Sequence, residues 1–212
     1  MMAGADGAAP AVDGRQRRGD ERRERILAAA VHRFAHRGYD ATRIADIARD
    51  AGVTDAGLIH HFPTKLALFL TIVERREQAY GLHEIGDLDT VSDLLHWYIK
   101  AVREAAQRPD YVYFRAMLSG SGLLDGHPIA GRLAANLEGA LDGLTPIFRR
   151  GIDRGEISGD EDAEQLMLEL LALNEGIRAQ WVALPGRIDY PAVFERAVNA
   201  MYRRIAGRAL IQ

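Results

Sequence analysis

Apolar residues recur along this chain at intervals of three and four, and nowhere do they alternate for long enough to suggest a strand. That rhythm predicts an all-α protein of about nine helices. Leu27, Ala30, Val31 and Phe34 mark the inner stripe of a first helix over 20–37, which Gly38 ends. Ile44, Ile47, Ala48 and Ala51 repeat the pattern in a short second helix. Val53 and Leu58 carry it into a third. Leu66, Phe69, Leu70, Val73 and Tyr80 extend it along a fourth helix, from Thr64 to about Leu82. Later helices are expected near 89–107, 110–119, 128–154, 161–184 and 190–208. Pro109, the glycines from Gly120 to Gly126 and from Gly155 to Gly159, and Pro185 with Gly186 punctuate them.

The last two helices are apolar on two sides. In the eighth, Leu166, Leu170, Leu173, Ile177 and Trp181 form one stripe; Leu168, Leu171, Ala172, Ala179 and Val182 form another. The ninth pairs Phe194, Val198, Met201 and Ile205 with a second stripe of Val193, Ala197 and Ala200. A helix apolar on two faces must be covered on both. The second stripes are therefore expected to meet those of another copy of the chain.

Residues 42–65 organise the rest. Thr42 is placed to cap the second helix, Gly52 follows its last apolar residue, and Thr54 is placed to cap the third. Ala48 is small where two helices must touch, and Leu58 pins the third helix inward. This is the plan of a helix-turn-helix, whose second helix is free to enter a DNA groove. The expected organisation is a disordered, basic arm over 1–18, a three-helix DNA-binding domain over 19–64, and a larger helical domain over 65–212 that dimerises, to which the resemblance below adds ligand binding.

Composition narrows the chemistry. The chain has 212 residues, 48% hydrophobic and 27% charged, and lacks cysteine, which rules out disulfides, thiolate catalysis and Cys-based zinc sites. The longest uncharged apolar run, Leu66 to Val73, is far too short to span a bilayer, and no apolar signal segment opens the chain; no membrane partner and a cytoplasmic location are expected. The net charge is −3, yet residues 13–65 carry 11 basic against 8 acidic side chains, a basic end on an acidic body. Arg15, Arg17, Arg18, Arg22, Arg23 and Arg25 cluster before the first helix, interleaved with Asp20, Glu21 and Glu24. His32 and His36 stand four residues apart, a spacing that suits a metal, but no third ligand is evident and no metal or other cofactor is expected. Enzyme signatures such as GxSxG, the P-loop, GxGxxG and HExxH are absent, and no catalytic residue is assigned.

The segment AGVTDAGLIHHFPTKLALF, residues 51–69, resembles the signature of TetR-family transcription regulators. Thr42, Ala48, Gly52, Val53, Leu58, His61, Phe62, Lys65, Leu68 and Phe69 sit where that family has the same or similar residues. Two departures stand out: Thr54-Asp55-Ala56 replaces the usual Ser-Lys/Arg-Gly, and Ile59 replaces the usual tyrosine. The resemblance implies a dimer that binds a palindromic DNA operator, usually as a repressor, and is released by a small-molecule effector. It places Thr54, Asp55, Gly57 and His60 near base edges, and Arg43, His61 and Lys65 near phosphates with Thr42 in support. It puts the dimer interface on the last two helices, at Leu168, Leu171, Ala172, Ala179, Val182, Val193, Ala197 and Ala200. The effector pocket is expected among Trp97, Phe114, Met117, Asn174, Arg178 and Trp181. The rival reading is a helical adaptor whose DNA-binding head has degenerated, with Asp55 and Ile59 as its marks.

Overall fold

The computed structural model describes residues 14–79 and 88–210. Within them the chain forms α1 (Gly14–Ala41), α2 (Ile44–Ala51), α3 (Asp55–His61), α4 (Lys65–Ala79), α5 (Val91–Ala106), α6 (Pro109–Ser121), α7 (Arg132–Asp153), α8 (Ala163–Ala183) and α9 (Tyr190–Ala206). No strand occurs among the described residues. The all-α expectation and the helix order hold. α1 begins earlier than expected: residues 14–18, assigned to a disordered arm, form its first turns, while 1–13 lie outside the described residues. Tyr80 and Leu82, expected on the fourth helix, also lie outside them.

Side-chain caps set several helix starts. Thr54, Asp162 and Asp189 each accept a backbone N–H three residues on, and Thr90 forms a reciprocal capping box with Asp93. Thr42 does not cap α2 as expected. The residue flanking α2 is Arg43, with no side-chain cap, and the buried Thr42 hydroxyl donates instead to the Gly38 carbonyl at 2.7 Å. Gly38 breaks the helical path at φ 75°, so its carbonyl needs that partner. Gly52 ends α2 in the left-handed region at φ 65°, returning the chain at the angle the helix-turn-helix requires.

Two hydrophobic cores result. The first gathers Ile26, Leu27, Val31 and Phe34 of α1 with Ile47 and Ala48 of α2, Leu58 of α3, and Leu68, Phe69, Ile72 and Val73 of α4. The inner face of α4 is thus turned from the expected one: Leu66 is 42% exposed, and Leu68 and Ile72 take the buried positions. This core also takes in Phe114 and Leu118 of α6; the Phe114 ring stands edge-on to Phe69 at 5.8 Å, and Phe69 edge-on to Phe34 at 5.1 Å. The second core joins α5, α7, α8 and α9 around Leu95, Phe148, Leu166, Leu170 and Phe194. Ion pairs bind α4 to its neighbours, Arg75 with Glu24 of α1 at 2.7 Å and Glu77 with Arg132 of α7 at 2.6 Å.

Candidate functional site

The first site is the outer surface of α2 and α3. Leu58 anchors α3 in the core, leaving Asp55, Ala56, Ile59 and His60 facing solvent. The Thr54 hydroxyl accepts the Gly57 N–H at 3.1 Å, and a Cβ at Gly57 would stand only 3.2 Å from that hydroxyl. Gly57 therefore keeps the α3 start close. Exposed groups of this kind can read a major groove: Asp55 can accept from a cytosine amino group, and Ile59, 49% exposed, can meet a thymine methyl.

The cations expected at phosphates divide. Arg43 is exposed and makes no ion pair among the described residues, so its guanidinium is available to an anion. His61 is half-buried; burial first, then the charges of His60, Arg22 and Arg23, hold its imidazole below the usual histidine value. At neutral pH it is a neutral hydrogen-bonding group. Arg22 and Arg23 of α1 thus lie near the end of α3, with the Arg23 guanidinium 4.8 Å above the Phe62 ring.

Lys65 differs from expectation. Its ammonium turns inward to the carbonyls of Tyr39, Asp40 and Thr42 at 2.9, 3.3 and 3.2 Å, and lies 4.4 Å from the Tyr39 ring centre. All three N–H donors are engaged. They satisfy carbonyls that the break at Gly38 and the α1–α2 connection leave without helical partners. Thr42, which donates to Gly38, is part of the same buried joint.

The second site is a cavity of about 290 Å³ between α4, α5, α6, α7, α8 and the start of α9. Trp97, Tyr98 and Tyr111 supply aromatic wall, and Arg76, Glu77, Arg115, Asn174, Glu175 and Arg178 supply polar groups. Of the expected ligand residues, Trp97, Asn174 and Arg178 line it. Phe114, Met117 and Trp181 do not. Phe114 and Met117 belong to the first core, because α6 is apolar on two sides and these residues face α1 and α4. Trp181 packs against Tyr113 and Tyr190 at 5.7 and 6.1 Å between ring centres.

Glu175 is the electrostatic centre of the cavity. It accepts from Arg115 and from the Ser119 hydroxyl, each at 3.0 Å, and pairs with Arg178 one turn on. Burial, then the charge of Arg115, pulls Arg178 down to about 10, and burial lowers Arg115 as well. One carboxylate thus serves the buried Arg178 and the half-buried Arg115. Glu77 acts on Arg115 only through its charge, since its hydrogen bonds go to Arg132 and Asn136. Arg115 Nε is buried and has no hydrogen-bond partner among the described residues. The Tyr190 hydroxyl donates to Asn174, leaving that amide's N–H donors for other partners. Arg115 and Glu175 were not singled out in the sequence. Their signal was there: each interrupts an apolar stripe with a charge, and Glu175 stands three residues before Arg178.

The expected interface residues lie on α8 and α9 with varied exposure. Leu168, Ala172, Ala179 and Ala200 are exposed, and Val182, Val193 and Ala197 are half-buried against the second core. Leu171 instead turns to the cavity wall.

Residues 26–72 match the model of bacterial regulatory proteins of the tetR family. The regulator TtgR of Pseudomonas putida is 25% identical over 201 residues, covering 84% of this chain and 89% of TtgR. The activator FasR of Mycolicibacterium smegmatis is 45% identical over 56 residues, 26% of each chain. Among solved structures, a complex of SmeT with triclosan superposes with a TM-score of 0.74 at 22% identity, covering 90% of this chain and 94% of SmeT. SmeT is described as the repressor of the Stenotrophomonas maltophilia multidrug efflux pump SmeDEF. The head that carries α2 and α3 is thus similar to that of the tetR-family regulatory proteins over residues 26–72, and the order of the helices follows the fold seen in SmeT.

Proposed function

We propose that the protein is a ligand-responsive repressor that binds a palindromic operator as a homodimer in the cytoplasm and leaves it when a small molecule fills the cavity. The observation that carries this reading is the course of α4. Its first residue, Lys65, clamps the α1–α2 connection beside the DNA-facing surface. Just over three turns further on, Arg76 and Glu77 form part of the cavity wall. One helix thus spans both sites, over about 17 Å at the rise of an α-helix. A ligand that pushes on Arg76 or Glu77 acts on the element that holds the head. Ligand and operator then weaken each other reciprocally.

The exposed Leu168, Ala172, Ala179 and Ala200 support pairing through α8 and α9, since small side chains allow close helix approach. Thr54, Asp55, Gly57 and His60 remain the proposed base-reading group. Arg43 is the leading phosphate contact, with Arg22 and Arg23 added from α1. The excess of guanidinium over free carboxylate in the cavity, beside Trp97 and Tyr111, favours an effector with an aromatic or apolar body and an anionic or acceptor-rich end. SmeT, solved with triclosan, supports a small-molecule effector for this fold.

The test is fluorescence anisotropy of the purified protein on DNA from just upstream of its own gene, against a scrambled duplex, over a salt series. Tight binding to the native duplex alone, with two or more chains per duplex, is expected. No binding even at low salt would overturn the reading in favour of a helical adaptor, for which the exposed Ile59 and acidic Asp55 would then be the explanation.

A further inference from the structure

His32 and His36 lie one turn apart on α1, with rings 4.7 Å centre to centre. The third group comes from the first turn of α6. Asp110 offers one oxygen to His32 Nδ1 and the other to His36 Nε2, each at 3.1 Å. Two ring nitrogens from one helix thus converge on a carboxylate from another, 74 and 78 residues away in the chain. All three donor atoms lie within 4.8 Å of one another, and no other group of three such residues does so among the described residues. The side chains are 58%, 39% and 44% exposed, so water can reach the remaining positions around an ion. We propose that His32, His36 and Asp110 form a divalent transition-metal site that cross-links α1 to α6.

The donor set decides the class of ion. Two imidazoles and one carboxylate suit zinc, cobalt, nickel or copper; calcium and magnesium prefer all-oxygen shells. In a tetrahedral shell, donors at about 2.0–2.2 Å from one ion stand about 3.3–3.6 Å apart. Donor atoms now within 4.8 Å of one another therefore need to close by up to about 1.5 Å, which rotation of exposed rings provides. The ion takes the place of the protons that now join the rings to Asp110. Tyr113 lies against the His36 ring at 4.9 Å and limits its swing.

The position gives the site a consequence. α6 contributes Tyr111, Val112 and Arg115 to the cavity and Phe114 and Leu118 to the head core. An ion at its first turn ties the head to the helix that both sites share, and so holds one head orientation.

The test uses the full, untagged chain. Zinc and nickel are titrated by calorimetry, and cobalt by its visible absorption. Variants are His32→Ala, His36→Gln and Asp110→Asn, all at the surface. The expected result is one ion per chain, weakened at least tenfold by each variant, with a tetrahedral or five-coordinate cobalt band that the variants abolish. Zinc at a hundred times its Kd raises the Tm of the natural chain by about 5–10 °C and leaves His32→Ala unmoved. A merely hydrogen-bonded triad would show no such metal-dependent rise. Failure to bind up to millimolar metal, or binding that survives all three variants, overturns the site. So does binding that is lost only with His60→Ala and His61→Ala.

Discussion

Replacing Lys65 by methionine separates two accounts of one residue. Methionine keeps most of the aliphatic stem and removes the ammonium. The loss comprises hydrogen bonds to Tyr39, Asp40 and Thr42 and the charge near the Tyr39 ring. A hydrogen bond from a charged donor contributes about 1.5–3 kcal/mol in favourable cases. Here two of the three are long, at 3.2 and 3.3 Å, and the site is only half-buried, so solvent can replace part of what is lost. The joint cost is about 2–3 kcal/mol, which for a chain of this size lowers Tm by roughly 4–12 °C. The loss should fall first on the head. Both tryptophans, Trp97 and Trp181, lie in the body, so far-ultraviolet circular dichroism should show an early transition that tryptophan fluorescence shows weakly. Operator binding should weaken because α4 no longer holds the end of α1 and the connection to α2, while its dependence on salt keeps its slope. A phosphate contact behaves oppositely: its removal lowers the slope of log K against log salt by about 0.9 per contact, with little effect on Tm. Arg43→Ala is the matched comparison and should show that second pattern. A Lys65→Met variant as stable as the natural chain, with a reduced salt slope, would refute the clamp.

Other perturbations reach other parts of the molecule. A Cβ at Gly151 of α7 would stand 2.5 Å from Val91 Cγ2 at the buried start of α5, so Gly151→Ala should cost about 1–2 kcal/mol despite its helix propensity, lowering the tryptophan-detected Tm. His61 is held below its ordinary value of 6.5, so the unfolded chain takes up that proton first. Its contribution to stability is complete above pH 6.5 and declines as pH falls from there toward the folded value. Melts from pH 7.5 to 5.5 should therefore fall more steeply for the natural chain than for His61→Gln, and parallel curves would remove His61 from the account. Ala179 is exposed on α8, so Ala179→Glu should convert a dimer into a 23.4 kDa monomer in light scattering without changing its helical content; an unchanged mass would move the interface elsewhere.

The sequence carried the helices well because their stripes are long and glycine or proline separates them. Leu27 to Phe34, Ile47 to Ala51 and Phe194 to Ile205 each bury the residues their spacing marks, and Ile44 is half-buried at the edge. α4 was harder. It is rich in leucine on several sides, so periodicity alone placed Leu66 inward and passed over Leu68 and Ile72. The same ambiguity sent Phe114 and Met117 of α6 to the wrong cluster. Lys65 was placed near a phosphate by the resemblance. Its true partners are carbonyls 23 to 26 residues earlier, set by a bend at Gly38 that only tertiary structure creates. The partner of His32 and His36 was hidden for a like reason, since Asp110 is joined to them by packing and not by spacing.

Phe114 and Leu118, which complete the head core from within the body, bear on how this head can be recombined with another body. A chimera cut at the 64/65 boundary would inherit a head stripped of Phe69, Ile72 and Val73 and facing a foreign α6. The transferable unit is larger and discontinuous. It runs from α1 through α4 and includes the side of α6 that carries Phe114 and Leu118. A designer exchanging operator specificity between relatives would therefore graft those two residues with the head, or change only the exposed positions of α3 and leave the shared seam untouched.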